Sequence, residues 1–222
     1  MHLTQRILCG AVLLLLLAGT ATPALAQQPT LELQGTYETN IFDEGAAEIA
    51  AYDTNTGYVF FVNADANEVV ALDISDPSNP TDVYTINVET QVTGGSANSV
   101  DVYDGTVAVA VEGANTTDNG FAVFYDATDG SFISRAQVGI MPDNLSFNGD
   151  GTAVVTANEG EPVDDYSTDP EGTVSVVDVS DITTPSVATA GFTAFNSQRA
   201  QLIGEGVRIF GNAGRTELDV TT

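Results

Sequence analysis

The chain has 222 residues, with 31 Asp or Glu against 5 Lys or Arg, all of them arginine, and a formal net charge of −26. So strong a negative field repels nucleic-acid phosphates and anionic lipid, which excludes both as partners, and attracts divalent cations and cationic surfaces. Without lysine the chain has no Schiff-base nucleophile and no P-loop. The apolar share of 43% is ample for a core, so the charge does not imply global disorder; the acidity also suits a salty habitat, where screening removes self-repulsion.

Residues 1–26 read as a secretory signal peptide. Arg6 supplies a positive start, Ile7 to Leu17 form an apolar run too short to span a bilayer comfortably, and Ala24-Leu25-Ala26 is a small-x-small cleavage site. Its removal takes away His2 and Cys9, the one His and the one Cys. The mature chain then has no Ser-His-Asp triad, no disulfide and no His-ligated metal, and no membrane insertion is expected of it. Localisation follows as secreted: extracellular, periplasmic or on the cell surface.

Residues 27–46 contain "LELQGTYETNIF", expected as a strand that completes a closing blade. Three repeats follow, over about 47–92, 93–140 and 141–195. Each opens with a first segment ("AEIAAYD", "ANSVDVYD", "DNLSFNGDG"). A second ("YVFFVNA", "TVAVAVEG", "TAVVTANEG") and a third ("VVALDISDPSNP", "FAVFYDATDGSF", "VSVVDVSDITTP") come next. A looser fourth closes each repeat: "DVYTINV", "SFISRAQV" and "SVATAGF". Asp73, Asp126 and Asp178 recur about every 52 residues, a propeller-like period. Short runs rich in Val, Ile, Tyr and Phe between Gly, Asn and Asp turns predict antiparallel strands. The expected fold is therefore all-β, a β-propeller of four-stranded antiparallel blades with about three blades present, an incomplete propeller. Uncovered edges and side faces on the first and last blades predict an unstable or self-associating chain. Residues 196–222 are expected to hold a short helix, capped by Asn196 or Ser197 and running through Gly204, then the start of a truncated next blade.

Carboxylates concentrate at the ends of the second segments. "ANEGEPVDDYSTDPEGT" carries Glu159, Glu161, Asp164, Asp165, Asp169 and Glu171 with no cation among them. Glu112 stands at the repeat position of Glu159, while Glu48, Asn98 and Asp143 share another near the start of each first strand. These are hard oxygen ligands suited to Ca²⁺. Glu159, Asp143, Asp164, Asp165, Asp169, Glu48 and Glu112 are the candidate metal ligands, against the alternative of a solvated acidic loop. Asp73, Asp126 and Asp178 read as turn residues that bond neighbouring backbone.

"YVFFVNADANEVVALDISD" resembles the repeat of YVTN-type β-propellers. The order "EIAAYD…VNA…LDISDPSNP", "ANSVDV…VAVAVE", "MPDNLSFNGDG", "ANEGEP.DDYS.DPEGTVSVVDVS", "FNSQR..LI..GVRIFG" resembles the choice-of-anchor I domain family over nearly all of Leu31 to Gly211. The resemblance implies a propeller on a secreted or surface protein whose relatives continue into further blades, some described as alkaline phosphatase-like or as cell-surface glycoproteins. The functional expectation is a secreted or cell-surface interaction module, calcium-stabilised, with an unknown extracellular or surface ligand. The alternative is a metal-dependent phosphoesterase, in which carboxylate-held metals activate water without histidine.

Overall fold

A computed structural model describes residues 30–42, 45–163, 165 and 167–209. The chain divides into two compact units, residues 1–33 and 34–222. The signal-peptide expectation lies outside the described residues. The second unit is all-β and of β-propeller type, built from three four-stranded antiparallel sheets.

Chain order is also spatial order within each sheet. The first blade is β1 (Ala50–Asp53), β2 (Tyr58–Asn63), β3 (Glu68–Asp73) and β4 (Thr81–Asn87). The second is β5 (Ala97–Tyr103), β6 (Thr106–Val111), β7 (Asn119–Asp126) and β8 (Phe132–Ile140). The third is β9 (Pro142–Phe147), β10 (Ala153–Asn158), β11 (Thr173–Asp178) and β12 (Ser186–Gly191). Local chemistry sets the hairpins. Asp104 and Gly105 both take positive φ (45° and 81°), the left-handed pair that a two-residue turn with the strands' own twist requires. Asp53 caps its longer turn by accepting from the Asn55 and Thr56 backbone N–H groups.

The blades pack face to face. Successive side chains on a strand point to opposite sides, so each blade offers one face to the blade before it and one to the blade after. Phe60, Val62, Val69, Ala71 and Ile86 of the first blade pack on Val100, Val107, Val109, Val111, Val123 and Tyr125 of the second. The other side of the second blade, with Ala108, Ala110, Ala122, Phe124 and Ala136, packs on Leu145, Val154, Val177 and Val179 of the third. Burial on both sides explains why β6 is an unbroken apolar run, "TVAVAV", buried from its second residue to its last. In β10 burial alternates with exposure instead, because one side of that blade is covered.

Hydrogen bonds pin the same seams. Tyr84 Oη donates to the Ala127 carbonyl at 2.6 Å between the first two blades. At the equivalent register position in the second blade, Ser134 donates to the Ile182 carbonyl of the third. Phe147 N donates to Asp101 Oδ2 at 2.8 Å, from the third blade back to the second.

Two expectations differ from the structure. Residues 30–42 form no strand. Within that segment Tyr37 packs on the outward face of the first blade, against Phe61, Val70 and Leu72, its ring 5.9 Å from that of Phe61. Its hydroxyl donates to Asp82 at 2.7 Å. The helical segment begins earlier than expected, as a 3-10 turn over Thr193–Gln198 that runs into α1 (Arg199–Gly204). Neither has a side-chain cap, and neither buries a residue.

This packing predicts opposite outcomes at two equivalent positions. Phe124 is fully buried, and Phe124→Ala is expected to cost about 3–5 kcal/mol of unfolding free energy. Val176 holds the same register position in the third blade at 44% exposure, and Val176→Ala is expected to cost under about 1 kcal/mol. Denaturant unfolding of the two variants is the check.

Candidate functional site

The ends of β6 and β10 place Glu112 and Glu159 on one rim. The register makes them equivalent: Val111 and Asn158 close their strands, and Glu112 N and Glu159 N then bond back to Ser96 O and Met141 O, each at 2.9 Å. One step away the first strands bulge. The pairing skips Asn98 in β5 and Asp143 in β9, and the extra residue re-aims the side chain at the strand end. Asn98 Nδ2 donates to the Pro142 carbonyl at 3.2 Å, tying the two bulges together. Glu48, just before β1, holds the matching position in the first blade, with its N–H on Val62 O.

Asp143 and Glu161 act on both Glu112 and Glu159 here. Glu112 is half-buried; desolvation holds its carboxyl above the ordinary value, with Asp143 and Glu161 adding to the shift and a hydrogen bond from Asn98 opposing it. Burial likewise raises Glu159, again with Asp143 and Glu161 contributing. The sequence brought Glu112, Glu159 and Asp143 forward but passed over Glu161 as a ligand, although it stands two residues beyond Glu159. A cleft of about 250 Å³ opens beside Glu161, lined by Thr116, Met141, Pro162 and Val163. Met141 sits at φ 55°, a left-handed conformation costing a non-glycine residue roughly 1–2 kcal/mol. The abrupt β8-to-β9 connection requires it.

The other candidates separate from this group. Glu48 is exposed and plays no part in raising Glu112 or Glu159. Asp165 is exposed and turns inward on its own loop: its Oδ1 accepts from Ser167 N at 2.9 Å, and the Ser167 hydrogen bonds hold its carboxyl below the usual range. Asp169 is half-buried. Asp164 lies outside the described residues. Among the described residues no three of Asp, Glu, His and Cys converge as a metal cage. Asp73, Asp126 and Asp178 take the turn role expected, each accepting from the N–H two residues on (Ser75, Thr128, Ser180) at 2.7–2.9 Å.

A buried polar network braces the rim from below. Thr156 Oγ1 donates to Asn158 Oδ1 at 2.9 Å, and Asn158 Nδ2 donates to Thr173 Oγ1 and Ser175 Oγ at 3.0 and 2.9 Å. Ser175 in turn shares a hydrogen with Thr189. Thr156, Asn158 and Ser175 are at most 2% exposed. Gly139 of the second blade lies against them; a Cβ there would fall 2.4 Å from Thr173 Oγ1 and 2.7 Å from Asn158 Nδ2. The network links β10, β11 and β12 where Glu159 and its loop emerge. "TAVVTANEG" alone reads as an ordinary strand end, and the network becomes visible only in three dimensions.

Blade architecture with a carboxylate rim defines a propeller-type protein with an acidic loop face. The chain matches the choice-of-anchor I domain over residues 48–221 and belongs to that family. No curated protein matches it. Among solved structures it is similar to a 6-phosphogluconolactonase, described as putative, from Bacteroides fragilis NCTC 9343, at 12% identity and TM-score 0.48, covering 66% of this chain and 40% of that one. It is similar to a protein from Lactobacillus plantarum at 16% identity and TM-score 0.47, covering 65% and 41%. A luciferin-regenerating enzyme aligns at 16% identity and TM-score 0.44, covering 59% and 44%. The chain thus spans under half the length of each of these.

The raised glutamates set a pH dependence. A carboxyl whose folded pKa lies above its unfolded one stabilises the fold most when protonated. That contribution is complete below the ordinary glutamate value of 4.5 and is lost as pH rises through the raised folded value. Glu112→Gln is expected to remove much of this decline and to raise Tm at neutral pH. Thermal unfolding of wild type and variant from pH 4 to 7 reads it out, and parallel curves would contradict the assignment.

Proposed function

We propose that the protein is a secreted or cell-surface β-propeller interaction module that presents the Glu112–Glu159 rim to an extracellular or surface ligand, and that Ca²⁺ bound at this rim stabilises it. Family membership supports the extracellular reading, as does the signal-peptide pattern of residues 1–26. Among the described residues no helix is long and apolar enough to cross a membrane.

One observation carries the proposal. Glu112 and Glu159 come from successive blades, are partly desolvated, and share Asp143 and Glu161 as like-charged neighbours. A group of carboxylates with no cation among them is relieved by a divalent cation, which favours every ionised form at once. The carboxylates do not close into a cage, so water and backbone carbonyls would complete an open coordination shell. The affinity then belongs with extracellular modules, at roughly 10⁻⁴–10⁻³ M. The role is structural: the ion stabilises the native state by mass action and holds the loop face in shape. Asp143, at the bulge between them, is the bridging ligand; Asp164 and Asp169 are weaker ones, and Asp165 is committed to its turn.

Calcium titration at moderate salt, followed by calorimetry and by melting temperature, tests this. Millimolar Ca²⁺ is expected to raise Tm in wild type. The rise should shrink in Glu159→Gln and Glu112→Gln and persist in Asp165→Asn. Neither binding heat nor a Tm shift would reduce the rim to a solvated acidic surface.

A further inference from the structure

A cleft of about 290 Å³ opens where the second and third blades meet, at the strand ends opposite the carboxylate rim. Tyr103 closes β5 and Phe147 closes β9, their ring centroids 5.8 Å apart and their planes tilted by 37°. Asp104 stands on the β5–β6 turn and Asp150 on the β9–β10 turn, and Val179 and Ile182, just after β11, add an apolar wall. Each of these residues comes from the second or third blade, so the cleft is a property of that one seam.

The repeat does not produce it elsewhere. At the matching positions of the seam between the first two blades, Asp53 stands for Tyr103 and Val102 for Phe147. Asp53 is 2% exposed and is engaged by its own turn, whereas Tyr103 is 38% exposed. The groups of the cleft are also held in place. Gly151, at φ 70°, lets the β9–β10 turn lie on the Tyr103 ring; a Cβ there would fall 2.1 Å from a ring carbon. Asp104 takes φ 45°, and its Oδ1 accepts from Asn55 Nδ2 of the first blade at 2.8 Å. Asp150 Oδ1 accepts from the Thr152 hydroxyl and N–H, and these bonds hold its carboxyl below the usual range.

We propose that this cleft binds an arginine side chain presented by a basic partner protein. Two carboxylates beside an aromatic pair, with no Arg or His among the described residues of the lining, favour a cation. The net charge of −26 steers basic surfaces toward the chain. An inorganic ion would leave the rings unused. A guanidinium stacks on an aromatic face while its edge donates to carboxylates, and its methylene stem packs on apolar side chains. The volume lies at the lower limit of the roughly 300–1,000 Å³ usual for small-molecule sites, which suits one long side chain better than a whole metabolite. The inference does not rest on Ca²⁺ at the rim, which lies at the other end of the strands.

Calorimetric titration with Nα-acetyl-arginine amide at low and moderate salt tests the proposal, with the citrulline amide as the uncharged counterpart. The expected result is saturable binding of the arginine probe that weakens as salt rises, and none of the citrulline probe. Asp104→Asn and Asp150→Asn place a residue that turns accept, and each should weaken binding roughly two- to fivefold, the scale of one exposed ion pair. Tyr103→Leu should weaken it by a similar factor. Asp165→Asn, an exposed acid on the loop at the opposite end, should bind like wild type. If circular dichroism shows Tyr103→Leu misfolded, the two Asn variants decide. Absence of saturable heat, equal binding of the citrulline probe or of glucose, or Asn variants that bind like wild type overturns the proposal. So does a loss in Asp165→Asn as large as in the cleft variants, which would mean diffuse attraction by the net charge.

Discussion

Everything else in this protein depends on one contact repeated: the side of a four-stranded sheet pressed on the side of the next. A single four-stranded sheet has two apolar faces and no core of its own. Stacking buries both in the second blade, where Val107, Val109 and Val123 point one way and Ala108, Ala110 and Ala122 the other, all fully buried. The two seams are filled differently. Between the first two blades large side chains such as Phe60 and Tyr125 meet valines, whereas between the second and third an alanine-rich side admits Phe124 and Leu145. Large side chains meet small ones across each seam, as close packing demands.

The third blade departs from this pattern on the side facing the second. Where the second blade has Val109, Val111 and Val123, the third has Thr156, Asn158 and Ser175. Buried polar groups are tolerable only when satisfied, and here each hydroxyl and the Asn158 amide finds a partner within the same sheet. Such a network specifies one register: sliding β10 against β11 by a residue would strand all of its donors. Rigidity is placed where the acidic loop leaves the sheet, and Gly139 is the residue that leaves room for it.

The blades were legible because a period of about 52 residues, alternating apolar runs and turn chemistry all reported the same unit. Equivalences drawn from that period, Glu112 with Glu159 and Asn98 with Asp143, coincide with strand register. Tertiary consequences were less visible. "LELQGTYETNIF" has a strand's alternation, but alternation cannot distinguish pairing along an edge from lying across a face, and Tyr37 does the latter. Density of carboxylates was also a poor guide within the acidic loop. Asp165 spends its charge on the Ser167 N–H two residues away, while Glu161, indistinguishable from it by sequence, acts on both Glu112 and Glu159. Spacing locates residues on a rim; the direction of each side chain is decided by turns and bulges.

Charge and packing are kept apart in this molecule. The three apolar clusters contain no ionisable residue other than tyrosine, and the carboxylates gather at strand ends and in turns. Several are tied to local donors: the side-chain oxygens of Asp73, Asp76, Asp126, Asp129, Asp178 and Asp181 each accept from a backbone N–H two residues on. These turns keep their geometry whatever the distant field, because a hydrogen bond at contact distance is screened little by salt. The rim at Glu112 and Glu159 is where burial and like charge coincide, so changes in pH, salt or divalent cation act there first. The apolar clusters between blades, by contrast, hold no ionisable side chain other than tyrosine. Such a partition lets a strongly acidic chain hold its fold through the seams while its loop face remains responsive to the surrounding solution.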